Sequence, residues 1–276
     1  MDHLTTYAQL VDDLRILGLE DGDIVMVHCR LSSFGWVPGG EQAVNEALRE
    51  VVGLRGTIAM PTQSWQLCDP AYLNHPSLPR EWWANIRASM PVYDPATTPT
   101  RTMGSVAEQF RTLPGALRSD HPHRSIAAQG PDAARIVAHH ELTDPAGENT
   151  PLGVLYELNA KVLLLGVGYD KCTALHLAEN RSDFPGKHTV RNGAALQFDG
   201  QREWVIWTED WPSDDDFDQV GEAFAKTGQG QRGTVGQAEA KLVNMRQLVD
   251  FAAIWFPDHR DTEAFSTDFT ADDYGL

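Results

Sequence analysis

The chain has 276 residues, of which 42% are hydrophobic and 22% charged, the proportions of a globular protein with a sizeable core. A formal net charge of −17 argues against a nucleic-acid partner, whose phosphates attract basic surfaces, and suits a cationic ligand. No apolar run approaches the roughly 20 residues of a membrane span, and the N-terminus, MDHLTTYAQLVDDL, lacks the basic start and apolar core of a signal peptide.

Residues 5–17 read as a helix, with Leu10, Leu14 and Leu17 at helical spacing and Gly18 as its stop. A turn at 21–23 leads into a short buried strand, IVMVH (24–28). A glycine-rich loop precedes a helix over 41–52, and TIAMP (57–61) is the next strand. Strand, helix, strand in that order predicts a βαβ crossover and a parallel pair. Residues 62–100 are rich in proline and aromatic residues without steady periodicity, a pattern of functional lids and binding loops.

A short helix follows at 104–112 and a strand end at 125–130. TPLGVLYELNA (150–160) is a helix capped by Thr150 with Pro151 at its first position, and KVLLLGV (161–167) is a buried strand. Residues 187–208 alternate around Asp199-Gly200 and predict an antiparallel hairpin. Two helices are expected after it, over 214–226 and 236–255. There is no internal repeat and no linker-like segment. The organisation expected is a single mixed α/β domain over 1–276 with a hairpin inserted in its C-terminal half.

Four stretches carry polar chemistry. The first, GVGYDKCTALHLAEN (166–180), sets Asp170, Thr173, His176 and Glu179 just beyond the strand at 161–167. The carboxyl edge of an open α/β sheet is where ligands bind. With Thr173 as N-cap, His176 sits in the first turn, where the helix dipole disfavours a protonated ring. A neutral imidazole is what a general base needs, and Glu179 lies three residues on, on nearly the same face. The alternative is that His176 and Glu179 merely face solvent or pack over a neighbouring strand. Cys172 is either a nucleophile or a buried filler.

The second, VHCRLSSFGWVPGGEQAV, starts at His28 and runs through Ser32, Ser33, Gly35, Gly39 and Gly40 into a helix. Backbone N–H groups at such a start can hold phosphate; the other reading is a flexible connection, and no Gly-Lys-Ser/Thr of a P-loop occurs. The third groups Arg101, Arg111, Arg118 and Arg124 in an otherwise acidic chain, which suits phosphate. His121 and His123 have no third ligand at a metal-binding spacing, so no metal is expected. GQGQRG (228–233) formally matches a dinucleotide motif but follows a helix rather than a strand. The fourth, TEDWPSDDDFD (208–218), carries six carboxylates and reads either as a solvated loop or as an acidic rim for a polycation. Three cysteines, Cys29, Cys68 and Cys172, without a CxxC, fit a reduced cytoplasm.

Taken in order, VHCRLSSFGWVPGG, DPATTPTRTMGSVAEQFR, RSDHPHRSIAAQG, ENTPLGVLYELNAKVLLLGVGYDKCTALHLAE and VGQAEAKLVNMRQLVDFAAIWF resemble the aminoglycoside 3-N-acetyltransferase family. The resemblance spans roughly residues 5–256. It implies a three-layer α/β/α fold, acetyl-coenzyme A as donor, and the 3-amino group of a 2-deoxystreptamine aminoglycoside as acceptor. It assigns His176 as general base, with Asp170 and Glu179 orienting it or binding ammonium groups. Ser32, Ser33, Gly35, Arg101, Thr102 and Gly104 would line the coenzyme, and Trp65 would join Asp170 and Glu179 on the acceptor. The family begins its first loop His-Ser-Ser; this chain reads His28-Cys29-Arg30. Rival readings are a Cys172 hydrolase, a drug-sequestering protein and an acetyltransferase for another amine. A homodimer is compatible with all of them.

Overall fold

The computed structural model describes residues 3–72 and 78–260. Helix α1 (Tyr7–Leu17) opens on Thr6, whose hydroxyl accepts the Gln9 N–H at 3.2 Å, and closes on Gly18 at φ 102°. Strand β1 (Ile24–Cys29) runs through a loop into α2 (Gly40–Val52), which returns to β2 (Thr57–Pro61). β1 and β2 are parallel, as a βαβ crossover requires. The long segment after β2 holds α3 (Trp83–Ser89) and ends at α4 (Gly104–Arg111). Then come β3 (Leu117–Arg118), β4 (Ile126–Gln129), α5 (Ala133–Val137), α6 (Pro151–Glu157), β5 (Lys161–Leu165) and α7 (Leu175–Arg181). The last third carries β6 (Thr189–Phe198), β7 (Gln201–Asp210), α8 (Phe217–Ala225), β8 (Gln231–Val235), β9 (Ala238–Asn244) and α9 (Met245–His259).

Among the described residues the main sheet has seven strands in the order β3-β4-β2-β1-β5-β9-β8. Its centre, β2-β1-β5, is parallel and its flanks are antiparallel. Side chains alternate along each strand. Val25, Val27, Leu163 and Leu165 therefore face α1, α2 and α4, while Met26, Val162 and Leu164 face α6 to α9. Both faces are covered by apolar helices, which gives the three-layer α/β/α architecture.

The hairpin pairs separately, from Thr189 with Asp210 to Phe198 with Gln201. Its two-residue turn uses Asp199 and Gly200, both at positive φ, the conformation a tight hairpin demands.

The helix expected over 236–255 is corrected at its front half. Residues 238–244 form β9, paired antiparallel to β5 from Asn244 with Lys161 to Ala240 with Leu165. The stretch AEAKLVN contains strong helix formers, but seven residues with Ala238, Ala240 and Leu242 on one face fit between β5 and β8 and pair with both. Tertiary pairing overrides the local preference. Asn244 then caps α9 by accepting the Gln247 N–H at 3.1 Å.

The order of connections places the site. The chain leaves β1 toward β2 on one side, and β5 lies on the other side of β1, so the topology switches between β1 and β5. A crevice opens outside the carboxyl ends of strands at such a point.

Candidate active site

A cleft of about 960 Å³ lies at that edge. Its walls bring together Ser32 and Gly35 from the β1 loop, Thr102 and Gly104 from the approach to α4, Trp65 from the segment after β2, and Asp170 and His176 from beyond β5. Residues separated by more than a hundred positions in the chain thus share one cavity.

His176 is the second residue of α7. The expected Thr173 cap is corrected: Ala174 holds the cap position without a side-chain bond, and Thr173 contributes only its carbonyl, which accepts the His176 N–H at 3.1 Å. What fixes the imidazole is Glu179. Nδ1 stands 2.5 Å from Glu179 Oε2, one helical turn away, and Phe217 lies against the ring at 4.9 Å between centroids. An ionised carboxylate only accepts, so Nδ1 carries the hydrogen and the neutral ring keeps its lone pair on Nε2.

Glu179 does not open onto the cleft. Its side chain is 7% exposed, and its Oε1 accepts from the Ser213 N–H at 3.1 Å and from Arg260 Nη1 at 2.6 Å. With both oxygens engaged by protein donors, its placement suits orientation of His176 rather than contact with a ligand ammonium. Asp170 differs. It sits in the 3₁₀ turn Tyr169–Lys171, 38% exposed and lining the cleft, with Lys171 at 3.0 Å. Asp214 and Lys171 line the same side.

Two nucleophile or base alternatives are weakened by burial. Cys172 is fully buried, and desolvation raises its thiol to about 12, so the thiolate is scarce near neutrality. His28, at the end of β1 on the same sheet face as Met26, lines the cleft. Burial, and secondarily the charge of His176, depresses it to about 3. Its Nε2 has no hydrogen-bond partner among the described residues. It stays neutral through the physiological range.

The proposed coenzyme residues divide. Ser32, Gly35, Thr102 and Gly104 line the cleft. Thr102 and Gly104 adopt φ 64° and 85°, and a Cβ on Gly104 would stand 3.4 Å from the Cys29 carbonyl, so this segment lies close against the β1 loop. Ser33 turns inward, and its hydroxyl donates to the Gly166 carbonyl at 3.2 Å. Gly166 has φ 67°, and a Cβ there would come within 2.4 Å of Ser33, so the two loops touch because residue 166 has no side chain. Arg101 is not among the cleft residues; its backbone N–H donates to Gln63 O at 2.8 Å. Arg30 lines the cleft and is exposed.

The arginine cluster expected to hold phosphate does other work at three positions. Arg111 pairs with Glu108 at 2.5 Å. Arg118 binds loop groups, including the Thr98 carbonyl at 2.5 Å and Ser64 Oγ at 2.7 Å. Arg124 is buried, with Glu209 at 3.0 Å and the Tyr72 hydroxyl at 2.7 Å. Glu209 belongs to the acidic run, so that run is not a uniform rim: Asp216 also turns inward, to Arg260 at 2.6 Å. His121 and His123 are buried; His121 Nδ1 accepts the His123 and Arg124 backbone N–H groups at 3.1 and 3.0 Å. Among the described residues no group of three His, Cys, Asp or Glu side chains is arranged to hold a metal ion.

The sequence pattern described as aminoglycoside 3-N-acetyltransferase matches residues 26–257. The chain belongs to the aminoglycoside 3-N-acetyltransferase family. It is thus an acetyltransferase of the antibiotic-resistance type. It is 42% identical over 252 residues to the SPbeta prophage-derived aminoglycoside N(3')-acetyltransferase-like protein YokD of Bacillus subtilis, covering 91% of this chain and 92% of that one. The crystal structure of YokD superposes with a TM-score of 0.89 at 40% identity, over 95% of this chain and 96% of that one. AAC-IIIb in its binary complex with CoASH gives 0.83 at 32% identity, over 94% and 98%. AAC-VIa bound to sisomicin gives 0.82 at 32% identity, over 92% and 98%. No helix among the described residues of this acetyltransferase is long and apolar enough to cross a membrane.

The residues that sequence reading missed are those behind the histidine. Ser213 from the approach to α8, Phe217 at the start of α8 and Arg260 just after α9 reach Glu179 and His176. Arg260 is 81 positions from Glu179, so no local spacing signals the contact.

Proposed function

We propose that this enzyme transfers the acetyl group of acetyl-coenzyme A to the 3-amino group of a 2-deoxystreptamine aminoglycoside, so conferring resistance, with His176 as general base. The observation that carries the reading is His176, fixed through Nδ1 by a buried carboxylate and lining a cleft at the sheet switch point. The coenzyme complex of the similar AAC-IIIb supports the donor, and the sisomicin complex of the similar AAC-VIa supports the acceptor.

Ser32, Gly35, Thr102 and Gly104 border the coenzyme in this reading, and Arg30 offers a charge to its phosphates. Trp65 supplies an apolar face for a sugar ring, and Asp170 with Asp214 supplies carboxylates for ammonium groups. Glu179 acts through His176. The acceptor amine attacks the thioester carbonyl carbon and loses a proton to Nε2. The tetrahedral intermediate collapses with cleavage of the C–S bond, and the proton passes to the departing thiolate. The imidazolium formed meanwhile is stabilised by Glu179.

The test is to incubate the enzyme with acetyl-coenzyme A and a panel of aminoglycosides and simple amines. Free thiol release and product mass are followed. A gain of one acetyl group, at the 3-amino position by fragmentation, supports the reading. Drug binding without acetylation excludes it, and turnover confined to simple amines assigns the site to another acceptor.

A further inference from the structure

The Glu179 carboxylate is held from two directions. From α7 itself His176 donates to Oε2. From outside, Arg260 donates to Oε1 at 2.6 Å and Ser213 N–H at 3.1 Å. Arg260 follows the last turn of α9, is 4% exposed, and has a second engagement: its Nε and Nη2 form a fork on Asp216 at 2.8 and 2.6 Å. Nη2 also donates to the Ser213 carbonyl at 3.1 Å. One guanidinium therefore joins three pieces of the site: the carboxylate behind the base, the loop whose Ser213 N–H also holds that carboxylate, and the residue before Phe217, which lies against the imidazole.

From this geometry we infer that Arg260 is a positioning residue for the acetyl transfer, fixing Glu179 as the acceptor of the His176 Nδ1 hydrogen and thereby keeping Nε2 free to take the proton of the amine. The inference rests on the reading of His176 as general base and extends it to a residue that never meets substrate.

The reasoning is electrostatic and geometric together. A buried carboxylate without a cation favours its neutral form. With Arg260 in place, both carboxylate oxygens face nitrogen donors, Oε1 taking Arg260 and Ser213 and Oε2 taking His176. Without it, the His176–Glu179 pair carries a net negative charge in a poorly solvated site and binds a proton more tightly as a unit. If that proton settles on Nε2, the base is already occupied. If it settles on Glu179, the acid donates to Nδ1, the ring hydrogen moves to Nε2, and the base points its lone pair the wrong way. Either way the active form is reached only at higher pH. Other titratable and charged groups surround the pair. His28 comes from β1, Asp170 and Lys171 from the turn after β5, and Asp214 from the approach to α8. Arg124, Asp144, Lys187 and Asp210 line a small cavity behind His176, and Lys187 Nζ donates to the Glu179 carbonyl at 3.2 Å. Arg260 differs from these in donating directly to the carboxylate oxygen opposite the one His176 uses.

The experiment compares Arg260→Met, Arg260→Lys and wild type, measuring kcat and KM for both substrates across pH, with circular dichroism and Tm as folding controls. Expected for Arg260→Met is a kcat lower by about 10- to 100-fold, a coenzyme KM within twofold of wild type, and an acid limb of the kcat profile displaced to higher pH. Arg260→Lys, which keeps the charge but loses the fork, should fall between. A folded Arg260→Met with wild-type kcat and an unmoved acid limb overturns the inference. Should that variant not fold, Arg260→Lys carries the test: a reduced kcat with a displaced limb supports it, and an unchanged profile overturns it. His176→Ala is run alongside. If it retains activity, the base assignment fails; if it is inactive while the Arg260 variants are normal, only the role of Arg260 fails.

Discussion

His176 Nδ1 lies 2.5 Å from Glu179 Oε2, and both residues sit on one short helix, three positions apart. Because helical residues at that spacing share a face, the orienting contact needs no tertiary movement to form. What tertiary structure adds is burial, which takes the carboxylate out of solvent and strengthens its hold on the ring.

Replacement of His176 by alanine should lower kcat by about 10²- to 10⁴-fold, the range for a positioned acid–base group. Binding of the coenzyme, which the proposed function assigns to other loops, should change little. The wild-type kcat should fall as pH drops, since a protonated imidazole accepts nothing, and the variant should lose that limb. Glu179→Gln should be milder, because the base remains while its orienting charge is gone. A folded His176→Ala with near wild-type kcat would remove the residue from the chemistry.

The strand edge that carries this pair was legible in the sequence, and the support behind it was not. Runs such as KVLLL and IVMVH declare buried parallel strands, and an insertion turning on Asp199-Gly200 declares a hairpin, because each pattern has one physical reading. AEAKLVN has two, and helix propensity pointed the wrong way until β5 offered it a partner. Arg260 and Ser213 meet Glu179 only because α9 and the approach to α8 converge over α7, and pairing at that range leaves no period in the chain. The arginine cluster misled for a related reason: Arg124 has a buried carboxylate waiting for it 85 residues away in β7.

Acid should destabilise the fold well before it protonates the interior. His121, His123 and His140 are packed together, with the His121 ring centroid 5.8 Å from that of His123 and 4.7 Å from that of His140. Burial pushes His123 and His140 down to about 4, and His121 well below its ordinary value. The unfolded chain binds these protons near pH 6.5 and the folded one does not. The stabilisation is therefore complete above about pH 6.5 and is lost as pH falls toward 4. His123 and His140 each contribute on the order of 1–3 kcal/mol across that window, and His121 acts in the same direction. Tm should drop by several degrees from pH 7 to pH 5 and keep falling below, and His140→Asn should flatten the slope. A Tm independent of pH over that range contradicts the account.

Arg30 stands in the cleft where the family has a serine, and a long cation there changes what the site can hold. If it meets a coenzyme phosphate, Arg30→Ser should raise KM for acetyl-coenzyme A by roughly tenfold, the equivalent of about 1.4 kcal/mol for one charge-assisted contact. kcat at saturating coenzyme should stay within about twofold, because uniform binding lowers KM without touching the chemical step. Dephospho-coenzyme thioesters tested in parallel locate the contact: a variant effect that disappears with them assigns it to the 3'-phosphate. An unchanged KM with the full coenzyme shows that Arg30 faces solvent instead.

Lys171 sits between two carboxylates that the proposed function assigns to the acceptor. Its ammonium lies 3.0 Å from Asp170 and 3.8 Å from Asp214, all three partly exposed at the cleft wall. A polycationic acceptor that uses those carboxylates has to compete with this lysine. Surface pairs of this kind contribute about 0–1 kcal/mol, so Lys171→Met should leave Tm nearly unchanged while lowering the aminoglycoside KM several-fold. Asp170→Asn should move it the other way. Both effects should shrink with added salt, since exposed charges are screened over about 8 Å at physiological ionic strength, whereas the coenzyme KM should respond less. Measurement of both KM values for the three proteins from low to high salt decides it. If the acceptor KM is the same in all three and flat with salt, Asp170 and Asp214 do not bind the drug, and the carboxylates that do must be sought among Asp144 and Asp210, which line the small cavity behind His176.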